Sequence, residues 1–188
     1  MDSSHRPLRR EDAPIISGFP RDAEELFFMF PAARWPLTAE ALLDAAAKRH
    51  DPTVVERGGR VVAYANLVKI EPRRFAVIGN VVVAPGERGQ GAGRYLIEAM
   101  VAKGFAHGVR EVRVSCHSTN AAGLLMYAAL GFEPYGIEKV EDWKGGRAAL
   151  IHFHRRPPET RLSDLLGDDA EEPANDTGHL IPFPKKPG

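Results

Sequence analysis

Gly89, Gly91 and Gly93 stand at alternate positions, behind the apolar run Val81-Val82-Val83-Ala84-Pro85 and at the opening of an amphipathic stretch that starts at Ala92. Bare backbone where a helix begins lets several amide N–H groups approach one ligand closely. The chemistry this suits is anion binding, because a helix start carries roughly half a positive charge and four amides without partners. A nucleotide-triphosphate loop would need Gly-Lys followed by Ser or Thr, whereas this one continues Gly93-Arg94-Tyr95. A dinucleotide loop would need a glycine three residues after its second, but Gly91 is followed by Ala92-Gly93-Arg94. Taken alone, the loop is equally a glycine-rich turn that opens an ordinary helix.

The elements that must position this loop can be read around it. Residues 6–10 suit a short edge strand, and Glu11-Asp12-Ala13-Pro14 a helix entry that Gly18-Phe19-Pro20 ends. A second helix runs from Arg21 to Pro31, and Thr38 caps a third whose apolar face holds Leu42, Leu43, Ala46 and Ala47. From residue 53 the pattern turns to strands: 53–57, a Gly58-Gly59 turn, 61–70, a turn at 71–74, then 75–83 leading into the loop. The helix after it carries Ala92, Tyr95, Leu96, Ala99 and Met100 on one stripe, with Gly104 and Gly108 marking its end. Val112, Val114 and Cys116 alternate with Arg113, Ser115 and His117, which predicts a strand between two helices and a parallel crossover. Asn120 caps the next helix, expected to bury Leu124, Leu125 and Ala128, and a hairpin of 132–141 with 147–154 closes the domain.

The spacing Arg88-x-x-Gly91-x-Gly93 after a V-x-V-x-P strand resembles the coenzyme A pyrophosphate loop of the GNAT superfamily, the acetyl-CoA-dependent N-acetyltransferases. Asn120, Tyr127 and Leu130-Gly131-Phe132 fall in register with that family's asparagine, tyrosine and closing "LGF". The resemblance covers residues 6–155 and implies a mixed α/β fold, with a mainly antiparallel sheet and one β-α-β crossover at the coenzyme loop. It implies that Tyr127 is the general acid beside the coenzyme sulfur and that Asn120 contacts the pantetheine arm. The backbone of Val81, Val82 and Val83 would pair with the pantetheine amides, and Arg88, Gly89, Gln90, Gly91, Ala92, Gly93 and Arg94 would hold the pyrophosphate. Acetyl-CoA or coenzyme A is then the co-substrate, no metal is needed, and the acceptor is an amine on a small molecule or peptide. A coenzyme-binding sensor without catalysis and a plain nucleotide binder are the competing readings.

The general base is where the resemblance thins. Many members carry a carboxylate on the strand before the loop, and the matching positions here are Gly79 and Asn80. His117 and Glu71 are candidates by position near strand ends, although a solvated surface role would explain either. Deprotonation is the harder half of the chemistry, since a lysine-like amine near ~10.4 is about a thousandth neutral at pH 7, and an α-amine near ~8 needs far less help. Phe27, Phe28, Phe30 and Trp35 could floor an apolar acceptor pocket or simply pack as core.

Bulk properties bound the rest. The 188 residues, 44% hydrophobic and 27% charged, suit one domain with a real core. Net charge is zero, which argues against a general nucleic-acid or membrane-surface binder. Seven acidic and three basic residues lie in 157–188, leaving the body near +4. That Pro-rich, acidic segment, 156–188, reads as a disordered or surface-draped tail. The single Cys116 excludes an internal disulfide, and no apolar run or signal-peptide core is present. The expectation is a cytoplasmic enzyme, with a homodimer left open.

Overall fold

Val54 and Val55 point to opposite faces of one strand, yet both are fully buried, as are Ala63, Tyr64 and Ala65 on the next. Side chains alternate across a strand, so this sheet is covered on both sides. The computed structural model describes residues 2–157, and the expected tail falls outside the described residues from 158 onward. In chain order the elements are β1 (Ser3–Pro7), α1 (Ala13–Ser17), α2 (Ala23–Met29), α3 (Ala39–Ala46), β2 (His50–Arg57), β3 (Arg60–Glu71) and β4 (Phe75–Val83). They continue with α4 (Ala92–Ala106), β5 (Glu111–His117), α5 (Ala121–Ala129), β6 (Glu133–Glu141) and β7 (Arg147–Arg155). The sheet runs β1-β2-β3-β4-β5-β7-β6, antiparallel throughout except between β4 and β5. This is the expected mixed α/β architecture with one parallel crossover.

Two cores result. Val55, Ala65, Leu67, Ala76 and Ile78 pack under α4 and α5, while Val54, Val61, Tyr64 and Val82 pack under α1 to α3 on the other face. Thr38 and Asn120 cap α3 and α5 as expected, accepting from Ala41 N at 3.1 Å and Gly123 N at 3.0 Å.

Three expectations are corrected. The first strand lies at 3–7 rather than 6–10, because Asp12 accepts from Arg9 N at 2.7 Å and from both terminal nitrogens of Arg6, which turns the chain early. Helix α4 runs through Gly104 and ends at Ala106, with Gly108 at φ +72° just beyond. Gly104 is a packing glycine: a Cβ there would stand 2.7 Å from Val112 Cγ2. Helix α5 buries Tyr127 and leaves Leu125 73% exposed and Ala128 exposed. Its facing is set by Gly123, where a Cβ would stand 2.8 Å from Cys116 Sγ, and Tyr127 lies one turn further along that face.

Strands β4 and β5 stay together only over Phe75–Glu111, Ala76–Val112 and Val77–Arg113, then part. Gly104 seats α4 on that joint, since Ala76 Cβ and Val112 are its nearest neighbours. Gly104→Ala should therefore destabilise the fold by about 1–3 kcal/mol through overpacking, despite a gain of about 1 kcal/mol in helix propensity. A lowered urea midpoint is the expected result.

Candidate active site

Beyond Val77 and Arg113 the parted strands enclose a cavity of about 870 Å³. Its two walls are β4 from Val77 to Val83 and β5 from Arg113 to His117; the glycine loop closes one end.

At the loop end, Gly89 and Gly91 take φ of +72° and +87°, conformations open to glycine at little cost. The first helical bond of α4 is Tyr95 N–H to the Gly91 carbonyl, so the preceding amides have no helical partner. Gly89, Gly91, Gly93 and Arg94 line the cavity. Gly93 is needed for close approach, as a Cβ would meet Met126 Sδ of α5 at 3.1 Å and Val83 Cγ2 at 3.3 Å. Gln90 and Ala92 lie outside the lining: Gln90 donates to the Gly86 carbonyl at 2.6 Å, and Ala92 is fully buried in the core. Arg88 also lines the cavity, and its guanidinium is engaged by neighbouring elements. It donates to both oxygens of Glu25 at 2.8 and 2.9 Å and to the Val83 carbonyl at 3.1 Å. Arg88, then Arg21, hold the Glu25 carboxyl down at about 2, and the result is a latch from the loop to α2. That latch brings Phe28 and Phe30 to the cavity wall, whereas Trp35 is 45% exposed elsewhere.

Tyr127 and Asn120 reach the cavity from α5. Tyr127 packs against Phe132 and Phe153, with ring centroids at 5.7 and 6.3 Å. Burial, with Cys116 nearby, pushes its hydroxyl well above the usual phenol value, so it stays protonated. The Cys116 thiol is likewise pushed up, to about 12, by burial. Such a thiol is an inert core residue.

The strand positions where a carboxylate was expected hold none: one is crowded and the other carries a hydrogen-bonded amide. A Cβ on Gly79 would fall 2.4 Å from Val68 Cγ1, because β3 bulges at Val68 between the pairs Leu67–Ile78 and Lys69–Val77. Asn80 sits in a second bulge at φ +53°, a region Asn tolerates better than most residues. Its amide donates to the Met29 carbonyl at 3.1 Å and accepts from Asn66 at 3.0 Å, while Asn66 also donates to the Tyr64 hydroxyl at 2.9 Å.

Of the two base candidates, Glu71 pairs with Lys69 at 3.1 Å and lies outside the cavity lining. His117 is not a solvated surface residue: it is 6% exposed, lines the cavity and lies 4.5 Å from the Phe27 ring. Among the described residues, neither of its ring nitrogens has a hydrogen-bond partner. Sequence reasoning missed Arg49, Ser115, Tyr135 and His152, which also line the cavity. Alternation along 147–155 places His152 on one face, but only the β5–β7 register, Ser115 opposite His152, shows that this face meets the cleft.

A sheet parted between two parallel strands, with a helix start at one end of the gap and a buried tyrosine beside it, defines a small mixed α/β fold built around a ligand-sized cleft. The chain belongs to the acetyltransferase (GNAT) family, whose sequence profile matches residues 19–132. It is 35% identical over 108 residues to the phosphinothricin N-acetyltransferase of Alcaligenes faecalis, a match that spans 55% of each chain. It is 31% identical over 119 residues to an L-methionine sulfoximine/L-methionine sulfone acetyltransferase of Pseudomonas paraeruginosa, covering 61% of this chain and 69% of that one. The fold is that of a putative acetyltransferase from Salmonella typhimurium solved with acetyl-CoA, at TM-score 0.68 and 20% identity over 85% of this chain and 96% of that one.

Burial holds the His117 and His152 rings below their ordinary 6.5. The unfolded chain therefore takes up protons first as pH falls. The stabilisation is complete above about pH 6.5 and is lost below it. The melting temperature should drop between pH 7 and pH 5, and His117→Gln should shrink that drop.

Proposed function

We propose that this chain transfers an acetyl group from acetyl-CoA to the primary amine of a small molecule that also carries an acidic group, directly within a ternary complex. The observation that carries this reading is the gap beyond Val77 and Arg113, which leaves the β5-facing edge of β4 without strand partners. The pantetheine amides supply the missing partners along Val81, Val82 and Val83, in the manner of an added strand. The main chain of residues 88–94 receives the pyrophosphate, with Arg94 contributing charge. Arg88 serves this site through the Glu25 latch. Asn120, besides capping α5, borders the pantetheine arm.

Tyr127, kept protonated, donates to the sulfur as the C–S bond breaks and negative charge develops there. The amine attacks from the opposite face of the sheet, where Phe27 and Phe28 lie against His117. Arg49 supports an acidic acceptor. Its guanidinium donates to the Val68 carbonyl at 3.1 Å, its buried Nε has no partner, and no carboxylate pairs with it among the described residues. The two curated relatives are named for acceptors that are amino acids with further polar groups, which favours an α-amine over a polyamine.

The absence of a carboxylate on β4 favours one other reading, a coenzyme-binding module without transfer. A melting series with acetyl-CoA, coenzyme A, ATP and NAD tests the cofactor. A ligand at 100 times its dissociation constant adds about 2.7 kcal/mol to the folded state. Stabilisation by the first two alone is expected, and acetylation of at least one α-amino acid excludes the module. Tyr127→Phe should lower kcat by about 10²–10⁴-fold with coenzyme affinity unchanged. Arg49→Ala should raise KM for an acidic amine about tenfold or more, with little effect on a neutral amine.

A further inference from the structure

Something must take the acceptor's proton, and β4 offers nothing: Phe75 to Val83 contains no ionisable side chain. Gly79 is crowded by Val68, and position 80 carries an amide tied to Asn66 and the Met29 carbonyl. On the acceptor face of the cavity, however, three groups stand in line. Ser115 Oγ lies 2.8 Å from His152 Nδ1, and His152 Nε2 lies 3.5 Å from Glu138 Oε2. Ser115 and His152 line the cavity, and His152 is 3% exposed. Both His152 Nε2 and Glu138 Oε2 are buried, and among the described residues neither has a hydrogen-bond partner, so their 3.5 Å approach is an ion-pair contact.

We propose that Ser115 and His152 form the proton relay that deprotonates the acceptor amine, with Glu138 as the residue that positions the ring. The inference rests on the transferase reading above and names the base that reading lacks. Glu138 facing Nε2 places the ring proton there, which leaves the Nδ1 lone pair to accept from the Ser115 hydroxyl. An incoming ammonium gives one N–H proton to Ser115 Oγ as the Ser115 proton passes to His152 Nδ1. A neutral amine and an imidazolium opposite Glu138 result. The amine lone pair then forms the C–N bond while the C–S bond breaks, and the departing thiolate takes the Tyr127 proton. The surplus proton on the new amide nitrogen returns to Tyr127, and His152 releases its proton to solvent.

His117 fits this task less well. A base has to hold a positive charge, and His117 is packed against Phe27 and Phe28 with no hydrogen-bond partner for either ring nitrogen among the described residues. The groups that face His152 are Glu138 and Tyr135 from β6, Arg113 and Ser115 from β5, and His154 two residues along β7. Burial and Arg113 favour the neutral ring, ready to accept; Glu138 favours the charged one. An imidazole so poised suits an α-amine near ~8 far better than a lysine-like amine near ~10.4, which points the site towards α-amino acids.

The first test needs no acceptor. Imidazole ¹⁵N spectra at a pH where the ring is neutral should show His152 protonated on Nε2, with its ionisation moved to lower pH in Glu138→Gln. A proton on Nδ1 instead overturns the relay, because Ser115 would then have no acceptor. The second test follows turnover of acetyl-CoA with the best acceptor from an α-amino acid panel. His152→Ala and Ser115→Ala should lower kcat at pH 7 by about 10²-fold or more while coenzyme affinity holds. Their rates should keep climbing with pH as the free amine supplies itself, where the unaltered protein levels off. Wild-type kcat in His152→Ala, or a change confined to KM, overturns the relay. Binding of acetyl-CoA without transfer to any amine by the unaltered protein overturns the transferase reading itself, and the relay with it.

Discussion

Two parallel strands that separate leave rows of main-chain donors and acceptors facing a space, and buried main-chain groups without partners are costly. That constraint governs this molecule. β5 does not follow β4 past Arg113, yet it keeps full register with β7 from Val112–Arg155 to His117–Leu150. β4 likewise keeps β3 along its length, with bulges at Val68 and Asn80 adding twist at the point of separation. The sheet therefore stays intact on either side of the gap. The open edges are concentrated in one cleft, where a ligand with amides of its own can complete them.

Holding the cleft open is a packing problem, and it is met at three places. Gly104 lets α4 sit on the last paired residues, Gly93 lets the start of α4 approach Met126, and Gly123 lets α5 approach Cys116. At Gly104 and Gly123 a Cβ would collide with a neighbouring side chain, and at Gly93 it would crowd Met126. The charges add a fourth hold. Arg88 joins the loop to Glu25 and Phe19 on the α2 side and caps the carbonyl of Val83, where β4 ends. The loop glycines thus keep their amides free of helical bonds while the Arg88 side chain, itself at the cavity wall, fixes the loop's position.

The parts of this design that were legible in the sequence are local ones. Alternation in 111–117, the caps at Thr38 and Asn120, and the glycine spacing ahead of α4 each follow from a few neighbouring residues, and each element formed where expected. Facing was harder to read. Leu124, Leu125 and Ala128 are the apolar stripe of α5 by spacing, but contact between Gly123 and Cys116 turns the helix so that Tyr127 goes inward. No periodicity reports a collision with another element. The acceptor side was illegible for a related reason: Arg49, Ser115 and His152 come from three separate segments and meet only through strand order.

The same strand order separates the two halves of the chemistry. Cys116 and Tyr127 share the core beneath α4 and α5, whereas His117 meets Phe27 on the α2 face, so neighbouring residues of β5 look to opposite sides. An acid for the leaving sulfur and a base for the incoming amine must not neutralise one another, and opposite sides of the sheet keep the two side chains apart while the gap lets the reacting atoms reach both. With no ionisable side chain on β4 and His117 packed against Phe27 and Phe28, the remaining histidine on the amine's side reaches the gap through β5. Ser115 is the β5 residue that faces that way and has a histidine behind it. The proposed shift of the base from β4 to β7 thus accompanies the bulge at Val68, which crowds Gly79, and the bulge that turns Asn80 towards Asn66.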